Sequence, residues 1–117
     1  MTCQTNERTR SFLNGLTAID EGLRVVKTAG VLALAGLADK EIGTAVQRIE
    51  ASVYGTVLFR NTSGTRLMIA SGSITDQAVV YSGADGKVSA SQGEGAHEIG
   101  QAMEAASDGD LFEVMMN

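Results

Sequence analysis

Proline and tryptophan are absent from this 117-residue chain, cysteine and histidine occur once each, and the remaining aromatics are two tyrosines and three phenylalanines. Each scarcity closes a route. Without proline, turn geometry has to come from glycine, Asp-Gly and asparagine. Cys3 alone makes no internal disulfide, and one thiol with one distant histidine makes no zinc site. Without tryptophan, and with Phe12, Tyr54, Phe59, Tyr81 and Phe112 mostly inside strand-like patterns, the stacking platforms common in sugar-binding modules are missing. Basic residues are outnumbered nine to fourteen, giving a net charge of −5, which opposes an electrostatic grip on nucleic acid. No apolar run approaches the ~18 residues of a membrane-spanning helix, and no N-terminal apolar signal segment is seen, so a reducing, aqueous compartment is expected.

What remains suits one small folded body. A chain of this length buries roughly 65% of the surface its unfolded form exposes, enough for a modest core. Fourteen glycines punctuate it, most of them six to twelve residues apart between Gly15 and Gly86, the turn rhythm of an all-β barrel or sandwich. Between them lie runs rich in branched and aromatic residues: Leu23–Lys27, Val31–Ala35, Thr56–Arg60, Arg66–Ala70, Ala78–Tyr81, Lys87–Ala90 and Leu111–Met115. The expected fold class is mainly β, a small barrel-like or sandwich-like single domain with at most one or two short helices. Residues 16–117 form the domain, and residues 1–15 an extended N-terminal arm. No internal repeat stands out.

Two segments stay open between helix and strand. Leu37–Ser52 places Ile42, Ala45, Val46 and Ile49 at helical spacing behind Asp39 as an N-cap. Ala96–Ser107 places Ile99, Ala102, Met103 and Ala106 on one helical face but also alternates as a strand. Each carries an interior glycine, Gly43 or Gly100, which costs a helix about 1 kcal/mol.

Chemistry is hard to find. His97 beside Glu98 suggests a His–carboxylate pair, but no reactive cysteine or elbow serine accompanies it, and a surface histidine is the simpler reading. Ser71-Gly72-Ser73 and Gly93-Glu94-Gly95 match no phosphate loop. Asp108-Gly109-Asp110 lacks the further oxygen ligands of a calcium loop and reads as a tight turn into the last strand. No catalytic, cofactor-binding or metal-ligating residue is assigned, and the chain is not expected to be an enzyme. Its charge is uneven instead. Residues 1–30 hold four basic groups and three acids; residues 76–117 hold eight acids and only Lys87. Such asymmetry bears on association more than on fold.

The order of several short elements resembles the small capsid decoration, or cement, proteins of tailed bacteriophages, of the DUF2190-like group. These elements are Gly64-Thr-Arg-Leu-Met-Ile-Ala70, Gly72-Ser-Ile-Thr-Asp-Gln-Ala-Val-Val-Tyr81, Gly86-Lys-Val-Ser89, Ile99-Gly-Gln-Ala-Met-Glu-Ala-Ala106 and Asp108-Gly-Asp-Leu-Phe-Glu-Val114. Gly30-Val-Leu-Ala-Leu-Ala-Gly36 and Ala38-Asp39…Ile42-Gly43 extend the likeness upstream. The family often has a glycine shortly before the Val-Tyr run, where this chain has Asp76-Gln77-Ala78. The resemblance implies a mostly β protein on the outer surface of an assembled phage head, made in the host bacterial cytoplasm, with the major capsid protein and itself, as a homotrimer, for partners. It implies no cofactor, nucleic acid or membrane, and it implies a largely extended Ala96–Ala106 and a strand around Thr44–Ile49. Arg8, Arg10, Phe12 and Leu13 are then the candidate capsid contacts, and Leu58, Met68 and Met115 the candidate trimer contacts. The competing reading is a small-ligand or carbohydrate-binding β module on a virion or cell surface.

Overall fold

A computed structural model describes residues 9–60 and 64–116. Among the described residues ten strands follow one another: β1 (Thr9–Leu13), β2 (Arg24–Thr28), β3 (Val31–Leu34), β4 (Gly43–Ala45), β5 (Tyr54–Phe59), β6 (Thr65–Ile69), β7 (Val79–Ser82), β8 (Val88–Ser89), β9 (Glu98–Ala102) and β10 (Leu111–Met116). Their cause is local. In β10, Phe112 and Val114 turn inward while Leu111, Glu113 and Met115 turn outward, the period of two that a one-sided strand requires. Among the described residues the only helical element is a 3-10 turn, Ala84–Gly86.

The strands form two antiparallel five-stranded sheets, ordered β1-β5-β4-β2-β3 and β6-β10-β9-β7-β8. These are the same order, strand for strand. Each sheet also curls back on itself through a parallel bridge, Asn14 to Leu32 in one and Ala70 to Val88 in the other. Each half thereby becomes a small barrel-like body around its own core. Phe12, Ile19, Val25, Leu32, Ile49 and Val57 fill the first. Met68, Ile74, Val80, Val88, Phe112 and Val114 are among those filling the second.

The halves agree in detail. Ile19 bridges Ile49 as Ile74 bridges Ala106. The β2–β3 turn is Ala29-Gly30 with φ of 51° and 85°; the β7–β8 turn is Asp85-Gly86 with φ of 56° and 77°. Both are left-handed pairs of the kind that close tight hairpins. Gly22, at φ 89°, donates its N–H to the Ala45 carbonyl at 2.9 Å, and Gln77, at φ 68°, donates to Ala102 at 2.9 Å. Gln77 thus holds a glycine-like conformation at the turn where the sequence departs from the resembling family. The chain is an internal duplication, contrary to the sequence reading. Glu41-Ile42-Gly43-Thr44-Ala45 and Glu98-Ile99-Gly100-Gln101-Ala102 are its legible trace.

Neither ambiguous segment is a helix: each carries one strand, Gly43–Ala45 and Glu98–Ala102, flanked by turns and bends, and the strand expected around Thr44–Ile49 ends at Ala45, with Ile49 in an isolated bridge. Gly43 and Gly100 are the reason. A side chain at Gly43 would strike the Leu58 carbonyl oxygen, and one at Gly100 the Met115 carbonyl oxygen. These glycines let a neighbouring strand approach closely, the usual meaning of a glycine inside a strand. Asp39 caps no helix; its Oδ2 accepts the N–H of Gly36 at 2.8 Å.

Candidate functional site

The residues with the most demanding chemistry lie in the seam between the halves. Arg24 opens β2 and is fully buried. Its guanidinium donates to five acceptors: the carbonyls of Gly83 (2.6 Å), Lys87 (3.1 Å), Gly36 (3.2 Å) and Asp39 (3.3 Å), and Oε1 of Glu41 (3.3 Å). Gly83 and Lys87 belong to the second half, so one side chain ties the two bodies together. Burial pulls the Arg24 pKa below its ordinary value, and the Glu41 carboxylate, helped by Asp39, pulls it back. A planar fork with five donors is suited to such a role, where a lysine is not.

Glu41 is 1% exposed and lies two residues before the start of β4 at Gly43. Besides Arg24, its Oε1 receives Nε2 of His97 from the second half at 3.1 Å. A carboxylate in that position requires Nε2 to carry the hydrogen. His97 thus hydrogen-bonds to Glu41 of the other half. Further ties cross the seam. Ser82 Oγ donates to the Leu37 carbonyl at 2.6 Å, Gly86 N–H to Ala35 at 2.7 Å, and Arg66 Nη1 to Phe59 at 2.8 Å.

Two clefts open along this seam. One, of about 130 Å³, is lined by Glu21, Thr44, Val46 and Leu58 from the first half and Arg66 and Leu67 from the second. The other, of about 440 Å³, is lined by Lys40, Glu41, Arg60, His97, Glu98 and Met116, among others. Among the described residues no phenylalanine, tyrosine or tryptophan lines either one. Among the described residues no cluster of three or more His, Cys, Asp or Glu side chains could hold a metal.

The sequence candidates fall in different places. Arg8 lies outside the described residues, as does Cys3. Thr9–Leu13, within the segment expected to be an arm, is strand β1 and pairs along its length with β5. Phe12 is 9% exposed and sits in the first core, edge-on to Phe59 at 6.1 Å, with Lys27 Nζ and the Arg10 guanidinium 5.1 and 5.4 Å from its ring centroid. Its ring is occupied within this chain. Arg10 is exposed and Leu13 half-buried. Of the expected trimer contacts, Met115 is exposed and Leu58 half-buried, but Met68 is completely buried in the second core. Met68 faces inward with Arg66, alternating with the outward residues Thr65 and Leu67 of β6. Arg24 and Glu41 were not singled out as a pair from sequence. Only the duplicated Glu-Ile-Gly-x-Ala run would have drawn attention to them.

No family model matches the chain, and no curated protein matches it. Among solved structures, it is similar over 93% of its length to the crystal structure of the head fiber gp8.5 N base of bacteriophage phi29, with a TM-score of 0.71, 17% identity and 94% of that chain covered. At that identity the likeness establishes a shared fold.

Proposed function

We propose that this chain is a structural protein of a bacteriophage head that binds the outer surface of the assembled capsid across subunit seams and stabilises it as a decoration protein. The observation that carries this reading is a fold shared over nearly the whole chain with a head fiber base of phage phi29. The order of motifs that resembles the DUF2190-like decoration proteins supports it independently. Its polar centre, Arg24 with Glu41 and His97, joins one half of the molecule to the other, a use that suits a rigid building block.

The action needs no reaction and no cofactor. A protein that binds the assembled shell but not dispersed subunits stabilises the shell by mass action. The major capsid protein is the partner, and a homotrimer multiplies weak contacts into avidity where their spacing matches the lattice. The site of action is the virion exterior, after synthesis in the host bacterial cytoplasm. The larger seam cleft is what a small-ligand module would offer, but among the described residues no phenylalanine, tyrosine or tryptophan lines it to stack on a sugar.

Co-sedimentation with mature phage heads tests the reading. The purified chain should pellet at a fixed ratio to the major capsid protein; no pelleting, together with binding on a glycan array, would replace it with the ligand-module reading. Removing residues 2–8, which spares β1, should weaken pelleting through loss of Arg8. Removing residues 2–14 is not a clean test, because it takes away β1 and Phe12 from the core.

A further inference from the structure

The two halves of the duplication carry the same sheet face in different surroundings. The strand registers define which residues correspond. Gly43 pairs with Val25 and Phe59, and Gly100 with Val80 and Met116. Glu41 therefore corresponds to Glu98, Glu21 to Asp76, Arg24 to Val79, Thr44 to Gln101, Val46 to Met103 and Leu58 to Met115. In the same way Arg10, opposite Val57, corresponds to Arg66, opposite Val114.

In the first half, Arg24, Thr44 and Leu58 are register partners in one row across β2, β4 and β5. Residues directly opposite on neighbouring strands lie on the same side of a sheet. The second half covers this row. Arg66 and Leu67 of β6 line a cleft with Glu21, Thr44, Val46 and Leu58. Arg66 Nη1 donates to the Phe59 carbonyl at 2.8 Å, and Arg24 donates to the Gly83 and Lys87 carbonyls. Arg24 and Thr44 are buried and Leu58 is half-buried. Within this chain, then, the face receives a strand that carries an arginine followed by an apolar residue.

The same row in the second half is Val79, Gln101 and Met115, across β7, β9 and β10. Val79 is 41% exposed, and Met115 and Met103 are each 42% exposed. Acids accompany these apolar side chains. Asp76 stands where Glu21 does, and Glu113 sits between Leu111 and Met115 on the outward side of β10. Residues 76–117 hold eight acids and only Lys87, so the surroundings favour a basic occupant. A guanidinium suits the role, since it pairs with carboxylates and packs against apolar surface at once.

A second copy of the chain does not supply that occupant. Its Arg66-Leu67 is already seated in its own seam, and the corresponding pair in its first half is Arg10-Ser11, with serine in place of the apolar residue. We infer that the face formed by Val79, Gln101 and Met115, with Met103 and Asp76, docks an extended segment of the head shell that carries an arginine next to an apolar residue. This rests on the decoration reading and adds to it the surface that makes the contact. It moves Met115 from the expected trimer contacts to the shell contact.

Co-sedimentation of the full chain with mature heads that lack it tests this with three variants. Met103→Asp with Met115→Asp places two carboxylates on the apolar patch. Asp76→Lys reverses the charge beside it. Leu16→Asp puts the same charge on an apolar side chain, 91% exposed, in the first half. All four positions are exposed, so circular dichroism and melting should match the unmodified chain. The double variant should bind heads about tenfold or more weakly and Asp76→Lys about fivefold more weakly, while Leu16→Asp binds as the unmodified chain does. Equal pelleting of every variant, or a loss with Leu16→Asp as large as that of the double variant, overturns the inference and leaves the decoration reading standing. An unmodified chain that does not pellet overturns both. Sedimentation equilibrium of the chain alone adds one further outcome: self-association that the double variant abolishes assigns the face to a second copy and overturns the inference.

Discussion

Gly55 of β5 lies so close to Ile49 that any side chain there would strike all three outer carbons of the isoleucine. At the duplicate positions the sizes are reversed: Phe112 stands where Gly55 does, and Ala106 where Ile49 does. Gly55 pairs with Phe12 and Phe112 pairs with Met68, so the same volume is filled from opposite walls in the two halves. Interiors packed at crystal-like density force such exchanges to occur in pairs.

Gly55→Ala should therefore destabilise the protein by about 1–3 kcal/mol, the usual range for overpacking. Adding Ile49→Ala should recover part of that loss, although Ile49→Ala alone costs about 2–5 kcal/mol. Urea unfolding of the two single variants and the double variant measures the coupling. Simple additivity would mean that the two positions do not share one volume.

Arg24→Met should cost about 3–5 kcal/mol, because it takes the guanidinium from the buried Glu41 carboxylate and from the Gly83 carbonyl, while the Lys87 and Gly36 carbonyls keep their backbone donors. Arg24→Met combined with Glu41→Leu should be milder than Arg24→Met alone, since the orphaned carboxylate is gone. Thermal melts of the pair decide this. A double variant worse than Arg24→Met would show that Glu41 does more through His97 than through Arg24.

The two hairpin turns should respond differently to the same substitution. Gly30→Ala, at φ 85° with nothing within 4 Å of the new carbon, should cost only the left-handed strain, about 1–2 kcal/mol. Gly86→Ala carries that strain at φ 77° and also brings the new carbon to 2.9 Å from the Arg24 carbonyl oxygen. It should be the more damaging of the two by at least 1 kcal/mol, on the scale of overpacking costs. Denaturant midpoints at constant m-value give the comparison.

Met68 and Met115 should separate cleanly. Met68→Ala empties part of the second core and should cost about 2–5 kcal/mol. Met115→Ala, at a site 42% exposed, should change the stability of the monomer by no more than about 0.5 kcal/mol. Equal losses at the two positions would contradict the inward and outward assignment of β6 and β10.

Each of the seven runs read as strands from sequence overlaps one, because alternation of apolar residues and glycine punctuation are local signals. β1 was not legible: Thr9–Leu13 is short, polar at its start and next to no glycine on its N-terminal side. β4 and β9 stayed ambiguous because Gly43 and Gly100 weaken strand and helix patterns alike, and their purpose is visible only from the strands across from them. The duplication was hidden because paired exchanges such as Gly55–Ile49 against Phe112–Ala106 preserve volume while erasing identity.

The sequence alone determined a β-rich chain with turns at many of its glycines, an acidic end and a basic beginning. Those properties depend on residue type and nearest neighbours. The tertiary structure decided the pairing order, the closure of each sheet, and the burial of Arg24 and Glu41 where their counterparts Val79 and Glu98 are exposed. That difference arises because one half covers a face of the other, and coverage by a distant segment leaves no mark on local sequence.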